Sequence, residues 1–297
     1  MYHDPVLLQA AVDGLLIRPG GTYVDVTYGG GGHSKEILKR LKGGRLIAFD
    51  QDADVEANRI DDDRLTLLNH NFRYLKNLLQ YHRLIPVDGI IADLGVSSHQ
   101  FDVAARGFSF RFGAPLDMRM NQNQKLSAAD ILNEYSTGQL MEIFRQYGEL
   151  SNSSQLANKI AAFRKQQKII TCDDLRSAIS GLIEKRHEDK YLAKVFQALR
   201  IETNSELDAL KEFLMQSLVV LKKSGRLVVI SYHSLEDRLV KNFMKAGNFD
   251  GIIESDLFGN TDTPFELISR KAITPDEKEI SQNKRARSAK LRIAEKK

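Results

Sequence analysis

The sequence predicts an α/β protein: a doubly wound, mostly parallel sheet with an all-helical domain inserted into it. Three observations carry that reading. Short apolar runs alternate with helical runs from Val6 to Asp93, as successive βαβ units require. The first strand-like run leads into a glycine cluster, Gly29-Gly30-Gly31-Gly32, and the second ends on a carboxylate, Asp50. From about Ser127 to Leu199 nothing alternates like a strand, and the sheet pattern resumes at Arg226.

The elements follow in order. Val6 to Leu16 reads as a short helix weakened near its end by Gly14, and Pro19-Gly20-Gly21 turns the chain. Tyr23 to Thr27 is a β-rich run, Ser34 to Leu41 a helix stopped by Gly43-Gly44, and Arg45 to Asp50 the second strand. Arg64 to Leu68 is a third strand, Phe72 to Leu79 a helix, and Asp88 to Asp93 a fourth strand, apolar enough to be covered on both faces. In the helical stretch, Ser127 to Asp130 has the form of a capping box, Thr137 is placed to cap Gln139 to Tyr147, and Thr171 to Asp174 to cap Leu175 to Ile183. Leu207 to Leu221 is an apolar-striped helix, Arg226 to Ser231 a buried strand, and Phe265 to Arg270 a late edge or antiparallel strand. Ala246 to Thr263 is polar and reads as a loop. The expected division is 1–105 for the first part of the core, 106–205 for a linker loop and the helical insertion, and 206–297 for the rest of the core with a basic C-terminal segment.

Composition narrows the class. The chain has 297 residues, 42% hydrophobic and 28% charged, a globular balance. No run approaches the roughly 18 apolar residues of a membrane span. The start lacks a basic stretch followed by an apolar core, so no secretory signal is expected and the expected location is cytoplasmic. The single cysteine, Cys172, excludes an internal disulfide and any multi-cysteine metal site. The net charge of +4 is concentrated at the end, where Lys284, Arg285, Arg287, Lys290, Arg292, Lys296 and Lys297 face one acid, Glu295. This is either a solvated basic tail or an element that meets phosphates, and Leu291 and Ile293 suggest that part of it packs on the body.

The candidate site residues cluster at strand ends, where open α/β sheets bind ligands. The glycines permit a tight turn and close approach of a ligand to backbone N–H groups. Asp50 follows at about the distance of a carboxylate that holds a ribose diol, roughly 20 residues. A dinucleotide would call for Gly-x-Gly-x-x-Gly, and the third glycine is missing. Asp25, inside the first strand, would repel a pyrophosphate but suits a cationic sulfonium and an α-amino group, which favours S-adenosylmethionine. His33 is either a cofactor contact or a helix-start residue bonded to backbone. Asp93 opens the run Asp93-Leu-Gly-Val-Ser97-Ser98-His-Gln100, read either as a site loop or as a helix-capping cluster.

The loop holding Arg106, Phe108, Phe110, Arg111, Asp117 and Arg119 crowds aromatics and arginines. Phe108 and Phe110 either plug the junction or wall a base pocket with arginines on phosphates. Ser231-Tyr-His233-Ser234-Leu-Glu-Asp237-Arg238 brings a histidine to another strand end, with Ser234 and Asp237 available as helix caps. A hydrolase triad is disfavoured because no Gly-x-Ser-x-Gly elbow is present. No compact histidine spacing supports a metal, and none is expected.

Taken together, Val24-Asp-Val-Thr-Tyr-Gly-Gly-Gly-Gly-His-Ser34, Phe49-Asp-Gln-Asp52, Asp93-Leu-Gly-Val-Ser-Ser98, Arg106-Gly-Phe-Ser-Phe110, Pro115-Leu-Asp-Met-Arg-Met120, Phe196-Gln-Ala-Leu-Arg-Ile201, Asn204-Ser-Glu-Leu207, Val229 to Arg238 and Arg285-Ala-Arg-Ser-Ala-Lys-Leu-Arg292 resemble the bacterial RsmH (MraW) family. They span nearly the whole chain in the family's order. The resemblance implies a class I S-adenosylmethionine-dependent methyltransferase (Rossmann-like) core with an inserted helical domain. The activity it implies is methylation of N4 of a cytidine in the decoding centre (P-site region) of 16S rRNA, within the small ribosomal subunit.

It further implies S-adenosyl-L-methionine contacts at Gly31, Gly32 and His33, with Asp50 on the ribose, Phe72 by the adenine, and Asp93 and Gln100 at further cofactor positions; Asp25 and Gly29 join them from the chemistry above. The departures are Val26 for a common glycine, Tyr232 for the usual phenylalanine, Lys284 for a proline, and His99 at a position often held by proline. On this reading Asp93 with its loop serines Ser97 and Ser98 is the best acceptor for the amine, with backbone carbonyls as rivals. His233 is a candidate proton acceptor or base-orienting group, Arg106, Phe108, Asp117 and Arg119 line the base entrance, and Arg285 and Arg287 hold RNA backbone. The expected assembly is a monomer or weak homodimer. Two other classes remain open: an NAD-type oxidoreductase on the same sheet, and a non-catalytic ribosome assembly factor.

Overall fold

The computed structural model describes residues 5–110, 113–256, 258–259 and 261–297. Seven strands form one sheet: β1 (Thr22–Asp25), β2 (Arg45–Phe49), β3 (Leu65–Leu68), β4 (Val87–Asp93), β5 (Leu221–Ser231), β6 (Phe265–Leu267) and β7 (Lys290–Lys296). Their order is β3-β2-β1-β4-β5-β7-β6. β1 to β5 pair in parallel, and β7 runs antiparallel between β5 and β6. The order reverses between β1 and β4, which opens a crevice at the carboxyl ends of the strands.

The helices are α1 (Leu8–Gly14), α2 (Gly32–Arg40), α3 (Leu75–Tyr81), α4 (Ser98–Asp102), α5 (Ala128–Glu134), α6 (Thr137–Gln146), α7 (Ser153–Phe163), α8 (Cys172–Ile179), α9 (Glu188–Asn204), α10 (Glu206–Val220), α11 (Ser234–Ala246) and α12 (Glu277–Gln282). The chain divides into two compact units, one of residues Met1–Gly95 with Leu207–Lys297 and one of Val96–Glu206.

In the sheet unit, side chains alternate between two buried layers with the period of two that a strand dictates. Val24, Ile47, Phe49, Ile90, Ala92, Leu227 and Val229 face one layer, packed with Leu210, Phe213 and Val240. Tyr23, Leu46, Ala48, Ile91, Val228 and Ile230 face the other, with Val12, Leu15 and Ile37. Gly14 ends α1 where the helix crosses β7: a Cβ there would come within 2.7 Å of Ile293. The residue that weakens the helix is the one that lets it approach the sheet.

The C-terminal basic run is largely structural. Lys290 to Lys296 alternates outward and inward as β7, with Leu291, Ile293 and Ala294 buried. Lys290 and Arg292 pair with Asp237 of α11 at 3.1 and 2.7 Å. Burial opposes ionisation of Asp237, but the two cations outweigh it and hold its pKa below the usual range. Lys296 Nζ donates to the carbonyls of Leu218 and Leu221 at the end of α10. The expected packing of part of this segment on the body is what β7 shows, and these three cations have partners within the protein. Arg285 and Arg287 are exposed, in a short 3-10 turn anchored by buried Ala286.

The helical unit has its own core, including Leu116, Ile131, Leu132, Leu140, Phe144, Leu156, Ile160, Leu175, Leu192 and Val195. Two of the expected caps are present: Ser127 with Asp130 and Thr171 with Asp174 form reciprocal capping boxes. The cap of α6 is Ser136 with Gln139, one residue before the expected Thr137.

Candidate functional site

Three carboxylates stand at the carboxyl ends of adjacent strands: Asp50 just past β2, Asp25 at the end of β1 and Asp93 at the end of β4. Gly29 N–H donates to Asp50 Oδ2 at 2.8 Å and Asp52 N–H to Oδ1 at 2.9 Å, which fixes the plane of the carboxylate. Each oxygen keeps a lone pair for another donor. Asp25 is fully enclosed: Ser34 Oγ of α2 donates to Oδ2 at 2.7 Å and Thr27 N–H to Oδ1 at 3.1 Å. Asp93 accepts at Oδ1 from the Tyr232 hydroxyl, 2.7 Å away, and its own N–H donates to Thr27 Oγ1 at 2.6 Å.

Burial pushes all three acids upward. Asp50 rises to about 6, with the neighbouring acids Asp52 and Asp25 adding to desolvation and the two backbone donors opposing it. Asp93 also rises to about 6, where His33 and the Tyr232 hydroxyl oppose the desolvation. Asp25 is raised for the same first reason, against His33, Ser34 and Thr27.

The glycine loop has local causes. Gly31 sits at φ 74° and Gly29 at φ 51°, left-handed conformations that cost a side chain energy. Gly32 starts α2 beneath Pro5, whose Cγ would lie 2.0 Å from a Cβ. His33 is 5% exposed; its Nε2 lies 3.2 Å from the carbonyl of Val6 and its Nδ1 3.8 Å from Asp93 Oδ2. Because a carbonyl only accepts, Nε2 carries a proton, and Nδ1 turns to Asp93. Thus the backbone-bonded reading of His33 holds, and the ring also screens the acids. Phe72 lies half-buried after β3, edge-on to Phe213 at 5.5 Å.

An adenosyl sulfonium fits this crevice on the chemistry of its donors: a fixed carboxylate with open lone pairs for a ribose diol, and further acids for a sulfonium and an ammonium. A pyrophosphate is disfavoured beside Asp50 and Asp93, the two strand-end acids that keep exposed surface, with the charge of Asp25 behind them.

His233 is not placed as a proton acceptor. It is the N-cap of α11, its Nδ1 accepting from Glu236 N–H at 3.4 Å while Glu236 Oε2 takes the N–H groups of Tyr232 and His233. With Nδ1 so used, Nε2 carries the ring proton, 3.2 Å from Glu236 Oε1. The cap is therefore His233 with Glu236, not Ser234 with Asp237.

The remaining expected residues belong to the helical unit, and their roles change. Ser97 caps α4 in a reciprocal box with Gln100, which is 4% exposed and accepts from Ser97 N–H. Ser98 is the first residue of α4. The capping reading of this cluster is thus realised for Ser97. Arg106, 6% exposed, donates to the carbonyls of Arg119 and Met120, so it ties the loop together instead of meeting phosphate. Phe108, also 6% exposed, is a core residue of the helical unit. Phe110 packs edge-on to Phe196 at 5.5 Å, beneath the Arg176 guanidinium.

Asp117 and Arg119 bind each other in a two-pronged pair, 2.7 and 3.0 Å, and Arg119 also holds the Gln124 carbonyl. Burial opposes ionisation of Asp117 and the Arg119 bonds overcome it, leaving its pKa lowered. Arg111 lies outside the described residues.

Among the described residues no helix is long and apolar enough to cross a membrane. A protein of Bacteroides thetaiotaomicron named ribosomal RNA small subunit methyltransferase H is 58% identical over 297 residues, covering 100% of this chain and 98% of that protein. A protein of the same name from Flavobacterium johnsoniae is 56% identical over 296 residues, covering 99% and 98%. Among solved structures, an rRNA methylase from Streptococcus thermophilus aligns with a TM-score of 0.41 and 13% identity over 97% of this chain and 94% of that one. The sheet is doubly wound, with helices inserted between β4 and β5. The MraW methylase family model matches residues 1–297, and the chain belongs to that family.

Proposed function

We propose that this chain transfers a methyl group from S-adenosyl-L-methionine to the exocyclic N4 of a cytidine in the decoding centre of 16S rRNA. The observation that carries the reading is kinship over the full chain, at 58% identity, with a protein named for methylating small-subunit rRNA. The three strand-end acids support it independently, since they suit a cationic adenosyl donor.

When bound, the donor supplies an electrophilic methyl on a sulfonium. Asp50 would hold the ribose, Gly29, Gly31, Gly32 and His33 would shape the loop beneath it, Phe72 would lie by the adenine, and Asp25, enclosed by Ser34 and Thr27, would favour the cationic end through its charge. Gln100 remains a proposed cofactor position. The exocyclic amine of cytosine is a poor nucleophile because its lone pair is delocalised into the ring, so positioning supplies much of the rate. Asp93 accepts a hydrogen bond from that amine and takes the proton it must lose on methylation; it is deprotonated for this above pH 6. The target base leaves its stack to reach the acid. Arg285 and Arg287 hold RNA backbone.

Isolated small subunits incubated with labelled donor should gain label in 16S rRNA, recovered as N4-methylcytidine at one decoding-centre position. Label at another atom, or none in rRNA, overturns the reading. Replacing Arg285 and Arg287 by alanine should weaken RNA binding and reduce its salt slope by about 1 for each phosphate no longer neutralised. Donor affinity, read by calorimetry, should stay within about twofold on that division of labour; equal loss of both would refute it.

A further inference from the structure

Tyr232 is the group that fixes Asp93. Its side chain follows β5, and its backbone N–H is held by Glu236 Oε2 at 2.9 Å, so the residue is anchored at both ends. Its hydroxyl donates to Asp93 Oδ1, and burial together with the adjacent carboxylate pushes its pKa well above the usual value. It therefore stays protonated, and the bond it donates is stronger to the ionised carboxylate than to the neutral acid. The charged groups facing Asp93 are His33 from α2, Asp25 from β1 and Glu236 from α11. Two of these three are acids that favour a neutral Asp93. Against them stand the Tyr232 hydroxyl and the His33 ring.

We propose that Tyr232 is a positioning residue for methyl transfer, whose half-buried hydroxyl keeps Asp93 in one orientation and favours its acceptor form. The inference rests on the reading that Asp93 meets the acceptor amine. A protonated Asp93 would present a donor to an amine that itself must donate, so the hydroxyl acts by lowering the share of that form.

The test is Tyr232→Phe, which removes one oxygen and keeps the ring. Single-turnover methylation of small subunits is followed from pH 5.5 to 9 with saturating donor. A hydrogen bond to a charged acceptor corresponds to about one pKa unit or more. The acid limb of the rate profile should therefore move up by about one pH unit, with a loss of roughly threefold near pH 6.5 that approaches tenfold by pH 5.5, and recovery to within about twofold by pH 9. Donor affinity at pH 8 should stay within about twofold.

A loss equal at every pH marks a merely structural role and overturns the proposal, as does an unmoved limb or a donor affinity that falls with the rate. A parallel titration of the ¹³C-labelled Asp93 carboxyl, assigned with Asp93→Asn, reads the same hydrogen bond without activity. An upward move in Tyr232→Phe supports it and an unchanged midpoint refutes it. Should the wild-type protein methylate no subunit, the functional reading fails while this titration still decides whether Tyr232 governs Asp93.

Discussion

Asp50→Ala should lower affinity for S-adenosylmethionine by roughly 100-fold, with little further loss of turnover once donor is saturating. The Asp50 carboxylate is already oriented by Gly29 and Asp52, so no ordering cost is left for binding to meet. Two ribose hydroxyls donating to a charged acceptor are worth about 3 kcal/mol together, and RT converts that to the stated factor. The substitution also releases two backbone donors of the glycine loop, which adds to the loss.

The wild-type protein should bind donor less well below pH 6, because Asp50 takes up a proton near there and ceases to accept at that oxygen. In Asp50→Ala that dependence should flatten. Calorimetric titration with the donor, at several pH values, checks both statements. A variant that binds donor normally and turns over slowly would contradict the ribose role.

How much of this is legible in the chain depends on the range of the cause. The strands, the glycine turn and the acids at strand ends follow from local signals: period-two apolar runs, turn residues, and carboxylates at the ends of those runs. Asp25, Asp50 and Asp93 can be picked out because their chemistry is set by where the strands stop.

Strand β7 escapes a reading that charge density dominates. Its signal is present in Lys290-Leu-Arg-Ile293, an alternation with both apolar residues on one face. Arg106 and Phe108 mislead for a different reason. An arginine or phenylalanine in a glycine-containing loop has the same composition whether it meets RNA or its own core. Only the carbonyls of Arg119 and Met120 decide for Arg106. His233 as a cap is hidden because histidine stands where serine or threonine normally does, although Glu236 occupies the expected third position. The Tyr232–Asp93 bond joins residues 139 apart and has no sequence signature.

Asp93→Asn should separate stability from activity. The amide keeps an acceptor for the Tyr232 hydroxyl but carries no charge. The folded pKa of Asp93 is about 6 against an ordinary value of 3.8. A carboxyl with a raised folded pKa adds stability below its unfolded pKa and loses it as pH rises through the folded one. The wild-type protein without ligand thus gives up as much as about 3 kcal/mol at this position between pH 4 and pH 7. The asparagine variant gives up none. Its thermal midpoint should match wild type near pH 4 and exceed it by several degrees at pH 8, where ligand-free scans are compared.

Methyl transfer should fall by about 100-fold, the usual worth of a positioned acceptor, with donor affinity changed only severalfold. A stability gain equal at both pH values would mean that something other than charge burial strains this position. Full activity with the gain present would remove Asp93 from the chemistry and leave it only as a burden of the crevice. The combination expected here, a more stable and much less active protein, is what a charged group held in a desolvated site for its reaction should produce.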